Sequence, residues 1–290
     1  MKFLNIKSIL IISSISFLFG CTEEISVDVA HEPQTIIFGE LTNLNEQVRV
    51  SVQQTLPLNA SESFQGVDDA VVSLYEKTTD ETTNLITTDF SVNQGVYTSN
   101  QMIPTVLDNK YWIEVLLNDG TLYRSEEETM LPVIAISEVA VDEEFNDVLN
   151  ISFNDPVNTS NFYKVSVSLY NQGQLVSTNF TESNDVIFNG NENASIEIDL
   201  FRFESDDQIL PEYDTREVTL GNVNFASYQF LLNQRAQIEA NEDAGEDSGG
   251  DPSQLFSTPP VSLLGNIINT STNKIVLGNF TVNSLSSVSQ

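Results

Sequence analysis

The chain has 290 residues, with 42 acidic and 11 basic side chains and a formal net charge of −31 at pH 7. It contains no basic stripe that could neutralise the phosphates of a nucleic acid, and its charge also disfavours adsorption to anionic lipid. Hydrophobic residues make up 40% of the chain, enough to build a core, so an acidic disordered tail is excluded. The composition favours one large or two ordinary folded domains.

Residues 1–20 have the layout of a secretory signal peptide. Lys2 and Lys7 give a positive start, and the apolar run over 9–19 is too short and wrongly flanked for a membrane-spanning helix. The sequence Leu-Phe-Gly-Cys that ends at Cys21 resembles a bacterial lipobox, in which the cysteine becomes the first residue and carries the lipid. The resemblance implies three acyl chains, which hold a protein stably on a membrane. The alternative is an unmodified cysteine behind an ordinary signal.

Residues 21–32 are interpreted as a lipidated tether. Glu23 and Glu24 follow Cys21 closely, and Cys-Thr-Glu-Glu resembles the acidic export signal of Bacteroidetes surface lipoproteins. An ordinary polar tether is the alternative. We therefore expect a protein that is lipid-anchored in the outer membrane and exposed at the cell surface.

From residue 33 onward the main pattern is period-two alternation, which predicts β-strands. The stretch 47–53 reads QVRVSVQ and places its three valines on one face. Two apolar runs flank residues 118–120 (Asn-Asp-Gly), and Asp-Gly is a strong hairpin signal. Trp112, in the first of these runs, is predicted to lie in the core. The Leu-Pro pair at 131–132 breaks the pattern and predicts a domain boundary.

The second half begins a new series of strands. Leu149, Ile151 and Phe153 share one face, and residues 171–173 (Asn-Gln-Gly) predict a second hairpin. Many short strands at this spacing are typical of β-sandwiches.

A helix is predicted over 225–241, packed against the second sheet, with an acidic loop over 242–253 after it. The apolar residues that recur at helical spacing in this helix are Phe225, Tyr228, Leu231, Leu232 and Ile238.

The order of motifs in AVVSLYE, GVYTS and KYWIEVLLNDGTLYRSEEE resembles transthyretin-like or carboxypeptidase-regulatory-like sandwiches. The resemblance implies a transthyretin-like β-sandwich over 33–131, and the strand spacing predicts a second β-sandwich over 132–290. We therefore expect a mostly β chain of two β-sandwich domains, immunoglobulin-like or transthyretin-like. The one helix then belongs to the second domain.

Together with ISFNDPVNTSNFYKVSV and the terminal PPVSLLGNI and VLGNFTV, these motifs resemble an uncharacterised family of Bacteroidetes outer-membrane lipoproteins. Genes of that family often lie beside TonB-dependent receptors. The resemblance implies an accessory role at the outer membrane, and it carries over no catalytic residues.

Catalysis finds little support in the residue types. The only histidine is His31 and the only cysteine is Cys21, so neither a histidine triad nor a cysteine nucleophile is expected. Carboxylate pairs such as 143–144 and 206–207 will occur by chance among 42 acids, and solvated loop acids are the simpler interpretation. We expect a protein that is not an enzyme and needs no cofactor.

Two weaker candidates remain. Asp243, Asp247 and Asp251 offer clustered oxygen ligands of the kind that calcium prefers, but their spacing does not fit the usual calcium loop. A solvated acidic loop is the alternative.

Phe201, Arg202 and Phe203 combine two aromatic rings with an arginine, as protein interfaces often do. The alternative is one more strand with an inward pair of phenylalanines.

The sequence thus predicts a non-enzymatic surface lipoprotein that serves a TonB-dependent receptor by binding a nutrient or the receptor's loops. A structural, envelope-assembly or adhesion module without a ligand of its own is the alternative.

Overall fold

The structure is a computed structural model, and it describes residues 32–44, 46–57, 60, 64–200, 211–246 and 263–290. Strands dominate this part of the chain, which confirms the prediction of a mostly β protein, and the larger sheet is nearly closed and barrel-like. The first nine strands are β1 Thr35–Thr42, β2 Arg49–Thr55, β3 Phe64–Gly66, β4 Val71–Lys77, β5 Thr83–Thr87, β6 Phe90–Asn93, β7 Val96–Ser99, β8 Lys110–Leu116 and β9 Leu122–Ser125.

The elements that follow include one helix, α1, which lies between β16 and β17 in the sequence. They are β10 Glu128–Thr129, β11 Ile136–Val141, β12 Val148–Phe153, β13 Phe162–Asn171, β14 Gln174–Asn184, β15 Ala194–Asp199, β16 Thr215–Val223, α1 Phe225–Glu246, β17 Leu264–Asn269 and β18 Lys274–Ser289. No helix among the described residues is long and apolar enough to cross a membrane.

The hairpins form where the turn residues predicted them. Strands β8 and β9 pair around residues 118–120, where Gly120 has a φ of +86° that suits glycine. Strands β13 and β14 pair around Gln172 and Gly173, both with positive φ, in the manner of a two-residue hairpin turn.

The side chains form two hydrophobic clusters. The first contains the alternating valines of β2 and the inward residues of β8, Tyr111, Ile113 and Val115. Trp112 is buried as predicted, at 4% exposure, but it lies outside this cluster. Its ring stacks on Tyr75 at 5.3 Å and is covered by the guanidinium group of Arg124.

The second cluster lies between the β14–β13–β16 strands and the separate three-stranded sheet β11–β12–β15. Leu149, Ile151 and Phe153 of β12 are fully buried in it, as the alternation predicted. Inward side chains of β13, such as Tyr163 and Val165, contact them from the other side.

The C-terminal strands join the first half of the chain. Strand β17 pairs with β9, and residues 277–283 of β18 pair in parallel with β1, so Ile267, Phe280 and Val282 enter the first cluster. The rest of β18 pairs with β16. This arrangement differs from the predicted division, which assigned all of 132–290 to a second domain. Parallel pairing over some 240 residues leaves no local signal at a turn.

Helix α1 contacts both halves. Tyr228 accepts a hydrogen bond from Asn184 of β14, and the ring of Phe230 lies 5.9 Å from that of Phe38 in β1. The prediction that the helix packs against the second sheet therefore covered only one of its two contacts. The helix ends at Glu246, so residues 242–246 are helical and not the start of a loop. Gly245 is tolerated just before this end, and the stronger stop signal, Gly-Gly-Asp-Pro at 249–252, comes later in the sequence.

Candidate ligand-binding groove

A groove of about 450 Å³ lies between α1 and the outer face of the first sheet. Successive side chains of a strand point to opposite faces, so Ile37 and Leu41 enter the core while Phe38 and Glu40 face the helix. The same alternation turns other polar and charged side chains toward the helix. The residues that line the groove are Phe38, Gly39, Glu40, Arg49, Ser51, Val96, Lys164, Phe230, Leu231, Gln234, Asn279 and Thr281.

One wall of this helix–sheet groove is apolar. Phe230 and Leu231 of the helix are each more than nine-tenths buried, and Phe38 of β1 is half-buried opposite them. The rings of Phe38 and Phe230 are tilted by 56° to each other. Phe38 and Val96, which are only partly buried, give an apolar surface against which the body of a ligand can pack.

Two cations, Arg49 of β2 and Lys164 of β13, also line the groove. Within the described part of the chain, their charged groups make neither an ion pair nor a hydrogen bond; Lys164 has only the ring of Phe180, 5.8 Å from its Nζ. Most other basic residues described are ion-paired with a carboxylate, and these are Lys77, Lys110, Arg124 and Arg235. Two uncompensated cations therefore line one groove of a strongly acidic protein.

Glu40 is the acid that lines the same groove. It lies directly opposite Arg49 in the β1–β2 register, but its Oε1 accepts a hydrogen bond from Asn283 Nδ2 at 3.0 Å. It makes no ion pair with Arg49, so the positive charge of Arg49 remains available.

A buried polar network lies behind the groove. Asn279, which lines the groove, donates to Ser227 Oγ at 3.2 Å and to Thr281 Oγ1 at 2.9 Å. Ser227 donates in turn to Glu128 Oε2 at 3.3 Å, and Asn266 donates to Glu128 Oε1 at 3.1 Å. The network joins β10, the first turn of α1, β17 and β18, and so fixes the helix over the groove.

Glu128 is the titratable member of this network, with only 3% of its surface exposed. Burial raises the pKa of its carboxyl to about 7, although hydrogen bonds from Asn266, Asn224 and Ser227 oppose that rise. The nearby charge of Glu126 raises the pKa slightly further. Protonation of Glu128 thus falls in the physiological range.

A second buried polar cluster lies in the second core. Tyr163 donates to Asp155, and Asp155 also accepts from the backbone N–H of Gly190 at 2.7 Å. Burial raises the pKa of Tyr163, and its hydrogen bond to Asp155 adds to the rise. Asp185 accepts from the N–H of Asn161 at 2.8 Å. These bonds satisfy both carboxylates from within the fold and tie loops together.

An exposed apolar tip stands beside that cluster. Val186 and Ile187, in a short 3₁₀ turn, are 81% and 91% exposed, and Val157 is 66% exposed. Apolar side chains at such exposure are a feature of contact surfaces.

Of the sequence-predicted site residues, only Asp243 lies in the described part of the chain. Cys21, Glu23, Glu24, Asp247 and Asp251 lie outside the described residues, as do Phe201, Arg202 and Phe203, so the predictions on them stay predictions. Asp243 lies on the helical backbone of α1. Among the described residues, no three histidine, cysteine or acidic side chains are grouped as metal ligands.

Residues 143–144 lie in a tight turn. The backbone N–H groups of Glu144 and Phe145 donate to Asp142, whose pKa these bonds lower. This arrangement is typical of loop acids in solvent.

Sequence reasoning missed the groove because its parts come from five separate regions of the chain. Arg49 and Lys164 each stand at an outward position of a strand, and the scarcity of basic residues is the one sequence signal that could have drawn attention to them. Only the topology, which places α1 over β1 and β18, brings them to one cavity.

Together the fold and the groove define a mostly β scaffold with an accessible cavity between a helix and a sheet. The chain belongs to the family described as a domain of unknown function (DUF4249), whose model matches residues 22–288. This match confirms the prediction of a family without an assigned function. No curated protein matches the chain.

Proposed function

We propose that the protein is a non-enzymatic binding protein that holds a small ligand in the helix–sheet groove. The observation that carries the proposal is the combination of an apolar wall with two uncompensated cations in one cavity. The cavity volume of about 450 Å³ falls within the range of small-molecule sites.

The setting of this binding protein is the outer membrane. Lipid at Cys21 anchors it, Glu23 and Glu24 direct it to the cell surface, and a TonB-dependent receptor is its partner. The support is the lipobox-like sequence and the resemblance to outer-membrane lipoproteins encoded beside such receptors. The two hydrophobic clusters support two sandwich-like cores that share β18.

One observation favours the alternative, a structural or adhesion module. The exposed apolar tip at Val157, Val186 and Ile187 offers a contact surface for another macromolecule.

The groove function is tested by a thermal-shift screen of oligosaccharides, short peptides and organic acids on the purified protein. We expect at least one class to raise the melting temperature, because a ligand that binds only the folded state stabilises it. The shift should disappear in Phe38→Ala, which removes one ring from the apolar wall, and persist in Leu175→Ala, an exposed residue of β14 away from the groove. A shift that survives Phe38→Ala would place the ligand elsewhere.

A further inference from the structure

We infer that the ligand of the helix–sheet groove is a small organic anion with an apolar body, and that Arg49 and Lys164 select it by charge. This inference rests on the proposed function of the groove and adds the chemical class of the ligand.

The charges that line the groove favour an anion. In a chain of net charge −31, acidic side chains outnumber basic ones by almost four to one. Among the described basic residues, Arg216 and Lys274 also lack an ion pair, but only Arg49 and Lys164 line the groove. Arg49 and Lys164 nevertheless lack ion pairs within the described ranges, although Glu40 stands directly across the ladder from Arg49. A bound anion would supply the missing charge, and an arginine fork suits a planar carboxylate or a tetrahedral sulfonate or phosphate.

The polarity of the groove favours a ligand that has both an apolar body and a charge. Phe38 and Phe230 line the same cavity as the two cations, so the groove combines apolar surface with positive charge. An inorganic anion would leave the apolar wall in contact with water. A neutral apolar molecule would leave the cations unpaired. An amphipathic anion satisfies both surfaces at once.

The overall negative charge of the protein does not prevent the groove from binding an anion. The negative potential of the protein as a whole repels anions over a distance, but salt screens that repulsion beyond about 8 Å at physiological ionic strength. Within the groove, the local charge of Arg49 and Lys164 outweighs that of Glu40 alone. Binding of an anion here is therefore a short-range effect that depends on these two side chains.

The inference is tested with a pair of fluorescent probes that share one aromatic body. 8-Anilinonaphthalene-1-sulfonate carries a negative charge, and N-phenyl-1-naphthylamine lacks it. Each probe is titrated into the purified wild-type protein and into the double variant Arg49→Gln/Lys164→Gln, with circular dichroism to verify folding. Arg49 is exposed and Lys164 is partly exposed, so the substitutions leave the cores intact.

We expect the double variant to bind the sulfonate at least about tenfold more weakly, because it loses two charge-assisted contacts, while its affinity for the neutral amine stays within about twofold. The wild-type affinity for the sulfonate, but not for the amine, should fall as salt is added. Lys274→Gln is the matched control: Lys274 also lacks an ion pair in the described chain, but lies five residues from Asn279, about 17 Å along β18.

The outcomes separate the inference from the proposed function. One outcome is that both probes bind, Phe38→Ala weakens the binding of both, and the double variant changes neither affinity. The groove is then a ligand site, but its selection of ligands by charge is refuted. If neither probe responds to any groove variant, the inference and the proposed groove site both fail. If Lys274→Gln weakened sulfonate binding as much as the double variant does, the effect of charge would be general, and this too would overturn the inference.

Discussion

Replacing Glu128 by glutamine should remove a pH dependence that this one buried carboxyl gives to the stability of the protein. The wild-type carboxylate accepts hydrogen bonds from Asn266 and Ser227. A glutamine can keep both contacts, because its oxygen accepts from Asn266 and its amide donates to Ser227 Oγ. The hydroxyl of Ser227 then donates to Thr281 Oγ1, which lies 3.3 Å away. The variant thus resembles the protonated form of Glu128 and should fold normally.

The magnitude follows from the pKa of Glu128, which burial raises from 4.5 to about 7. The folded state then holds the proton more tightly than the unfolded state, so this group reduces stability as the pH rises from about 4.5 to about 7. The full effect is about 3 kcal/mol of unfolding free energy, of which roughly 2.5 kcal/mol falls between about pH 5 and pH 8. Stability is therefore lost on the alkaline side, opposite to the behaviour of a carboxylate in an ion pair.

The assay is urea unfolding of both proteins at several pH values in this range, followed by tryptophan emission. Trp112 is the only tryptophan and is 4% exposed, so its emission reports unfolding. The other carboxylates affect both proteins alike, so the difference in unfolding free energy isolates Glu128. Glu126→Gln, which changes an exposed neighbour, is the control and should leave the wild-type pH dependence nearly unchanged.

A constant difference between the wild type and Glu128→Gln across this pH range would refute the reasoning. It would mean that Glu128 keeps an ordinary pKa, for example because water reaches it. A difference that grew as the pH fell would show that the network stabilises the carboxylate more than burial penalises it.

Two further substitutions, Gly278→Ala and Tyr163→Phe, and one control, Gly173→Ala, test the packing of the fold by urea unfolding. Gly278→Ala should destabilise the protein by more than about 3 kcal/mol, because an added Cβ would lie 1.9 Å from the backbone oxygen of Ile37, whereas Gly173→Ala, also at positive φ but in open space, should cost only about 1 kcal/mol. If Gly278→Ala and Gly173→Ala lowered the free energy of unfolding equally, the β1–β18 contact would be looser than described. Tyr163→Phe should cost about 1–3 kcal/mol by leaving Asp155 without one of its donors, and an unchanged midpoint would contradict that role.

Local features of the fold were predictable from the sequence. The alternating valines of β2 are buried as expected, and both hairpins form at the turns that glycine marks. Such features depend on neighbours within a few residues, so the sequence pattern records them directly.

Long-range features were not predictable in the same way. Strand β18 pairs with β1 and with β16, and no turn residue encodes either partner. The packed face of the helix was also not fully predictable. Helical spacing selected Phe225 and Leu232 for that face, but they are 53% and 41% exposed. Phe230, which the spacing did not select, is buried against β1. A helix that packs against both halves of the protein buries two surfaces, so a single apolar stripe does not describe it.

The candidate site was beyond sequence reasoning for the same reason. Arg49 comes from β2, Lys164 from β13 and Phe230 from α1, and each is unremarked in its own segment. The residues that the sequence did single out were chosen for their type and local spacing, which says nothing about the groups that the fold places opposite them.

The central proposal, an accessory lipoprotein of a TonB-dependent receptor, is tested most directly by isolating the protein with its partners. A C-terminally tagged copy is purified from gently solubilised outer membranes, and the companions are identified by mass spectrometry, with Cys21→Ser as the control for anchoring. The account predicts stoichiometric recovery of a TonB-dependent receptor with the wild type and loss of the Cys21→Ser protein from the membrane fraction. Recovery of envelope-assembly proteins instead of a receptor, or membrane retention of Cys21→Ser, would contradict it.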